Sequence, residues 1–256
     1  MKLVVLAGGY GTRLSEETRT MPKPMVSVGS EPILMHVLRG YAQHGVTDFI
    51  VACGYRGDVI RDYFNEYALR GSDVTFNLAS GETMIHVHNT EPWTITLVET
   101  GETTQTGGRI KRLRAYLDDD EDFCLTYGDG VGNVDIAALV AFHKARGRSA
   151  TVTAVHPPPR FGALTITRDR VKQYVEKPDD DGGWISAGYF VLSPSVLDLI
   201  EDDDSVWELG PLAQLTADGQ LSAYKHHGFW HPMDTLSDRH TLEGLWATGK
   251  APWKTW

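Results

Sequence analysis

The chain has 256 residues and a formal net charge of −10, from 24 basic and 34 acidic side chains. Hydrophobic residues make up 41% and charged residues 23%, as in a soluble globular protein long enough to bury a core without disulfides or a structural metal. The acidic balance excludes a surface built to grip nucleic acid by its phosphates, and any phosphate-bearing ligand must be held against the global field.

Lys2–Ala7 is a β-branched apolar run ending in Gly8-Gly9, read as a buried strand feeding a loop. This apolar stretch is too short for a signal peptide, and no run approaches the roughly 20 apolar residues of a membrane span. A cytoplasmic protein is expected. Ile33–His44 places Ile33, Leu34, Val37, Leu38 and Tyr41 on one helical face. Asp48–Cys53 reads as a strand, Asp58–Tyr67 as a helix and Thr94–Thr100 as an alternating strand. Gly108–Leu117 reads as a helix, Asp122–Tyr127 as a buried strand, Asp135–Ala145 as a helix and Ala150–Val155 as a strand. This alternation implies a mainly parallel sheet covered by helices on both faces.

After His156-Pro157-Pro158-Pro159 the pattern changes. Ala163–Ile166 and Val171–Glu176 suggest an antiparallel hairpin. Ile185–Leu192 suggests a strand, Ser195–Ile200 a short helix and Thr235–Ala247 a terminal helix. Cys53 and Cys124 sit in apolar runs and read as buried free thiols. The acidic run Asp118–Asp122 reads as a solvated loop, and His86-x-His88 as one polar face of a strand.

The strongest chemical signal is Leu6-Ala7-Gly8-Gly9-Tyr10-Gly11-Thr12-Arg13 directly after the first strand. Closely spaced glycines let backbone N–H groups approach an anion at a strand's C-terminal end. Arg13 adds a fixed positive charge. The spacing is neither the G-x-G-x-x-G of dinucleotide sites nor the G-x-x-x-x-G-K-[ST] of P-loops. Met21-Pro22-Lys23-Pro24-Met25 holds Lys23 between two prolines, which suits an ammonium aimed at those phosphates. Tyr127-Gly128-Asp129-Gly130 ends a strand, where ligands of open α/β sheets bind. Asp129 reads either as a Mg2+ carboxylate or as part of a glycine turn. Asp234, in Trp230-His231-Pro232-Met233-Asp234-Thr235, is either a second carboxylate or the cap of the terminal helix. Glu176-Lys177-Pro178 suits a sugar phosphate, or a hairpin-end ion pair.

In order and spacing these segments resemble the sugar-1-phosphate nucleotidylyltransferase family along nearly the whole chain. The stretches EPWTITLVETGETTQTGGR, GFWHPMDT and EGLWATGKAPWKTW carry the likeness to its branch that uses CTP and glucose 1-phosphate. The resemblance implies a Rossmann-like α/β fold with a mixed, mainly parallel sheet and a smaller β-rich sugar-binding part. It implies one domain over 1–256, with 1–155 mainly for the nucleotide and 156–256 mainly for the sugar and a C-terminal helix. Leu6 through Arg13 would wrap the nucleotide, and Lys23 would contact phosphate near the reacting centre. Thr104 and Arg109 would help hold CTP, and Gly128 would pack against it. Asp129 and Asp234 would ligate Mg2+. Glu176 and Lys177 would hold glucose 1-phosphate, with Gly162 and Gly188 lining the sugar pocket.

Two departures stand out. Met21 replaces a second lysine of many relatives, and Thr104–Arg109 replaces a Gln-Pro-x-Gly-Leu-Ala loop of thymidylyl and uridylyl relatives. The second departure points to cytosine over uracil or thymine. The implied product is CDP-glucose, with pyrophosphate released, from a homo-oligomeric enzyme. A non-catalytic nucleotide-sugar sensor would be expected to lose one of Arg13, Lys23, Asp129 and Asp234, and a glycosyltransferase would more typically carry D-x-D. Trp246, Trp253 and Trp256 would bury either in a subunit interface or on their own domain.

Overall fold

The computed structural model describes residues 1–87, 90–157, 163–167, 170–175 and 183–256. Side chains at positions 13, 15–16, 68, 87, 163–167 and 173–175 are also outside the description. Of the sequence expectations, His88, Gly162, Glu176, Lys177 and the Arg13 side chain therefore fall outside the described residues.

Among the described residues a seven-stranded sheet organises the chain. Its strands are β1 (Leu3–Leu6), β2 (Asp48–Cys53), β3 (Thr94–Glu99), β4 (Phe123–Tyr127), β5 (Ala150–Val155), β6 (Ile185–Leu192) and β7 (Leu221–Lys225). They lie in the order β7-β5-β6-β4-β1-β2-β3. β1 pairs in parallel with β2 and β4, β2 with β3, and β5 with β7. β6 alone runs antiparallel, between β4 and β5. The chain first builds outward from β1 to β3, then returns to β1's other side with β4. This reversal makes a crevice between the carboxyl ends of β1 and β4, where ligands of such sheets bind.

All four residues of β1 are buried, because helices cover both faces of the sheet and a two-sided strand has no polar alternation. Leu3 and Val5 belong to one core, with Ile33, Leu34, Tyr41 and Trp253. Val4 and Leu6 belong to the other, with Ile50, Ile110, Leu125 and Trp207. Besides the single turn Ser15–Thr18, the described helices are α1 (Ile33–Ala42), α2 (Gly57–Arg70), α3 (Thr106–Arg112), α4 (Ile136–Arg146), α5 (Pro211–Ala217) and α6 (Leu236–Ala247). α1 buries Ile33, Leu34, Val37, Leu38 and Tyr41, the face its sequence marks. Both cysteines are free and buried, and burial pushes their thiols up, Cys53 to about 11 and Cys124 to about 12.

Several elements differ from the sequence reading. The helix expected over Gly108–Leu117 is α3 followed by a separate 3-10 turn, Arg114–Tyr116. The short helix after β6 is a 3-10 segment, Pro194–Leu199, with proline fixing its start. Asp234 does not cap α6. Thr235 does, in a reciprocal box: its hydroxyl accepts from the Asp238 N–H while the Asp238 carboxylate accepts from the Thr235 N–H. The hairpin Ala163–Thr167 with Arg170–Val175 forms as the sequence suggests. A second hairpin, Asp73–Asn77 with Glu82–Val87, is signalled only in its second strand, where His86 lies. The acidic loop is partly tied down, with Asp118 beside Lys2 at 3.0 Å and Glu121 on the N-terminal amine at 2.6 Å. Trp253 is buried within its own chain, and Trp246 packs edge-on against His36. No described helix is long and apolar enough to cross a membrane.

Candidate active site

The crevice at the ends of β1 and β4 opens into a cleft of about 440 Å³. One wall is the loop after β1, Ala7 through Thr12. The opposite wall is Glu102 through Thr106, and the floor carries Lys23, Tyr127, Asp129 and Asp234. The structure thus brings together Leu6, Ala7, Gly8, Gly9, Tyr10, Gly11, Thr12, Lys23, Thr104, Arg109, Asp129 and Asp234 around one cavity.

Lys23 is placed by its local sequence. Pro22 is extended, and Pro24 sits at the second position of the one-turn 3-10 helix Lys23–Met25. Both prolines preset the backbone angles. Gly11 adopts φ +61°, and a Cβ there would meet Thr18 Cγ2 at 2.9 Å and Lys23 Cβ at 3.2 Å. Only glycine lets the loop lie this close to the lysine. Gly128 does the same from the other side. A Cβ there would meet Pro24 Cγ at 2.9 Å, so its bare face meets the lysine turn.

The Lys23 ammonium donates to Asp129 Oδ2 and to Asp234 Oδ1, both at 2.6 Å. These carboxylates lie 106 and 211 residues away in sequence. Lys23 is only 9% exposed, and both Asp side chains are 28% exposed. Burial alone would lower the ammonium's pKa, but attraction to Asp129 and hydrogen bonds to both carboxylates outweigh it and hold it above 10.5. Among the described residues no group of three or more His, Cys, Asp or Glu side chains is placed to hold a metal. Asp129 and Asp234 nevertheless fit Mg2+. Their oxygens already converge on one cation, and Mg2+ is a hard ion that takes one or two carboxylates plus waters and phosphate oxygens.

Arg109 lines the cleft and also holds its walls together. It is 5% exposed, and its guanidinium is enclosed by neutral acceptors. Nη1 donates to Thr100 Oγ1 and Gly101 O at 2.7 Å and to Cys53 O at 3.3 Å. Nη2 donates to Gly8 O and Glu102 O at 3.1 Å. The side chain therefore ties the loop after β1 to the end of β2 and to the opposite wall. Glycines at 8 and 54 make room, since a Cβ at either would lie 2.3 Å from Nη1. Burial lowers the guanidinium's pKa, but an arginine keeps its charge. The result is a fixed cation behind the glycine loop.

Gly188 lies in the irregular part of β6, where the β5 pairing shifts. Its φ is +78°, and a Cβ would meet Tyr127 Cδ2 at 2.5 Å. Bulges beside sites re-aim side chains, and this one seats the Tyr127 ring at the cleft. The Tyr127 hydroxyl donates to Glu208 Oε1, and the Thr106 hydroxyl donates to Glu208 Oε2 at 2.8 Å. Thr106 Oγ1 also accepts from the Trp207 N–H at 2.9 Å. Glu208 thus joins the strand end to the start of α3. Sequence reading missed it, because its partners lie 81 and 102 residues away.

The chain matches the family model described as nucleotidyl transferase over residues 2–231. It is 56% identical over 256 residues to the glucose-1-phosphate cytidylyltransferase of Salmonella typhimurium, covering 100% of each chain. It is 32% identical over 249 residues to the mannose-1-phosphate guanyltransferase of Saccharomyces cerevisiae, covering 93% of this chain and 63% of that one. Its architecture is similar to that of UDP-glucose pyrophosphorylase from Acinetobacter baumanii, with a TM-score of 0.70 at 16% identity, across 98% of this chain and 95% of the other. At that identity the likeness speaks to the fold.

Proposed function

The chain belongs to the nucleotidyl transferase family, and on that premise we propose that it joins CTP to glucose 1-phosphate, forming CDP-glucose and releasing pyrophosphate. The observation that carries this reading is the 56% identity to the Salmonella cytidylyltransferase along the full length of both chains. A sugar-phosphate oxygen attacks the α-phosphorus of CTP, and the bond from that phosphorus to the bridging oxygen of the β-phosphate breaks. The attacking phosphate is already ionised at neutral pH, so no general base is needed. Catalysis is then positioning and charge neutralisation.

The chain's own groups divide that work. The backbone from Gly8 to Thr12, with Arg13, cradles the triphosphate. Lys23 neutralises charge near the reacting phosphorus, and Thr104 meets the nucleotide across the cleft. Arg109 holds the two walls at their spacing and places positive charge behind the loop. Gly128 acts by letting Pro24 close on the strand end. Glu176 and Lys177 hold the sugar phosphate, with Gly162 and Gly188 at the sugar pocket, so that 1–155 serve mainly the nucleotide and 156–256 mainly the sugar. Mg2+ on Asp129 and Asp234, when bound, offsets phosphate charge. The same reading takes the enzyme as a cytoplasmic homo-oligomer.

A pyrophosphate-release assay tests the proposal. Glucose 1-phosphate with CTP should release pyrophosphate, and the same sugar with UTP or dTTP should release far less. Equal rates with the three nucleotides would remove the cytidine assignment, and no release with any of them would remove the enzymatic one.

A further inference from the structure

The lysine and the two carboxylates carry a consequence for how the metal enters. Lys23 Nζ lies 2.6 Å from an oxygen of Asp129 and 2.6 Å from an oxygen of Asp234. A Mg2+ ion bound by the same two oxygens would sit roughly 2.0–2.1 Å from each. Two cations cannot share that space, so the ammonium must leave before the metal is held by these two oxygens. We propose that Lys23 is an internal counter-ion that occupies the metal position of the nucleotide-free protein, so that the metal enters with the nucleotide, whose phosphates receive the displaced ammonium.

The surroundings make this exchange feasible. Pro22, Pro24 and the bond from the Val26 N–H to Lys23 O at 3.1 Å fix the backbone, while the buried four-carbon stem keeps rotatable bonds of its own. Gly11 lies against the base of that stem. The ammonium therefore moves between the carboxylate pair and the glycine loop with no shift of the main chain, as both line the same cleft. Without a cation the pair would leave two like charges together in a site only 28% exposed at each side chain. The lysine removes that repulsion in the resting protein. It also disfavours a lone divalent ion, which must first break two charge-assisted hydrogen bonds.

The inference rests on the reading that Asp129 and Asp234 are the metal carboxylates, and its test does not depend on turnover. Mn2+ binding to the full chain without nucleotide is read by electron paramagnetic resonance. Removing a unit charge in contact with the site, as in Lys23→Gln, should tighten Mn2+ binding by at least about tenfold. Adding Asp129→Asn to that variant should abolish the gain. Mn2+ binding by Lys23→Gln no tighter than wild type would overturn the proposal, as would a gain that survives Asp129→Asn. Lys23→Met, of similar length, is the second variant should Lys23→Gln not fold. The wild-type chain supplies a further arm: a Mn2+ affinity without nucleotide equal to that of the CTP-loaded protein also overturns it. Pyrophosphate release with UTP in place of CTP would correct the nucleotide assignment and leave this proposal standing.

Discussion

Arg109→Lys keeps the charge at the back of the glycine loop and changes only the number and geometry of donors. The guanidinium makes five hydrogen bonds, to Gly8, Cys53, Thr100, Gly101 and Glu102. An ammonium has three donors and no planar fork, so at least two acceptors lose their partner. Two losses are partly covered: Cys53 O also accepts from the Thr100 hydroxyl at 2.6 Å, and Gly8 O from the Tyr55 N–H at 3.2 Å. Gly101 and Glu102, on the far wall, depend most on the arginine. Both of those bonds are part-buried, so each lost partner falls at the low end of the about 1–3 kcal/mol of a buried unpaired acceptor, and the variant should lose about 2 kcal/mol. Urea unfolding should show this as a lower midpoint at unchanged slope, and melting as a fall of about 5 °C.

The same change should raise the KM for CTP severalfold with a smaller effect on kcat, because the walls are set before the chemistry. Gly54→Ala provides an independent route to the same outcome. Its new Cβ would press on Nη1 from 2.3 Å, displacing the guanidinium at a cost of about 1–3 kcal/mol. An Arg109→Lys protein within about 0.5 kcal/mol of wild type, with unchanged KM for CTP, would refute the strut assignment.

Lys23→Ala should cut turnover about a hundredfold or more, the scale of one preorganised electrostatic contact, and near-normal kcat in the pyrophosphate assay would sink its catalytic role. Glu208→Ala frees both the Thr106 and Tyr127 hydroxyls; the KM for CTP should rise a few-fold, whereas Glu208→Gln, whose carbonyl oxygen accepts from one hydroxyl while its amide N–H donates to the other, should recover part of it. Burial lowers the pKa of His36, His143 and His226, so their neutral forms are favoured in the folded chain. Stability from these groups is complete above the unfolded value near 6.5 and falls as pH drops below it. Melting temperature should therefore decline between pH 7 and pH 5, less steeply in His36→Gln, and an unchanged slope in that variant would exclude His36 as a contributor.

Sheet strands and long helices were legible in the sequence because their patterns answer to burial alone. β1, β2 and β5 are apolar runs, and each proved a strand covered on both faces. Lys23 and Asp129 were legible because prolines and glycines restrict what a neighbouring side chain can do. The Asp73–Asn77 hairpin strand was invisible for the opposite reason. It is largely exposed, Phe76 at 57% included, so no burial period marks it. Asp234 stays open between cap and carboxylate in the sequence, although Thr235 and Asp238 have the spacing of a capping box; that signal could have decided it. Arg109 carried no local sign of burial, since an arginine in a short helix usually faces water. Its use depends on Gly8 and Gly54, which only the folded chain brings against it. Glu208 is of the same kind, defined wholly by distant partners.

The charge problem posed by an acidic chain now has a local form. Among the described side chains at the floor and back of the cleft, two carboxylates face two cations. Lys23 is spent on Asp129 and Asp234, and Arg109 is spent on neutral carbonyls behind the loop. The resting floor is therefore close to neutral and offers a triphosphate little net attraction. A divalent ion arriving with the nucleotide changes that balance twice. On the proposed exchange it would add two positive charges at the carboxylate pair and expel an ammonium toward a new anion beside the glycine loop. On that proposal the cation that would hold the phosphates is present from the start but masked by Asp129 and Asp234, and the nucleotide's own metal would unmask it.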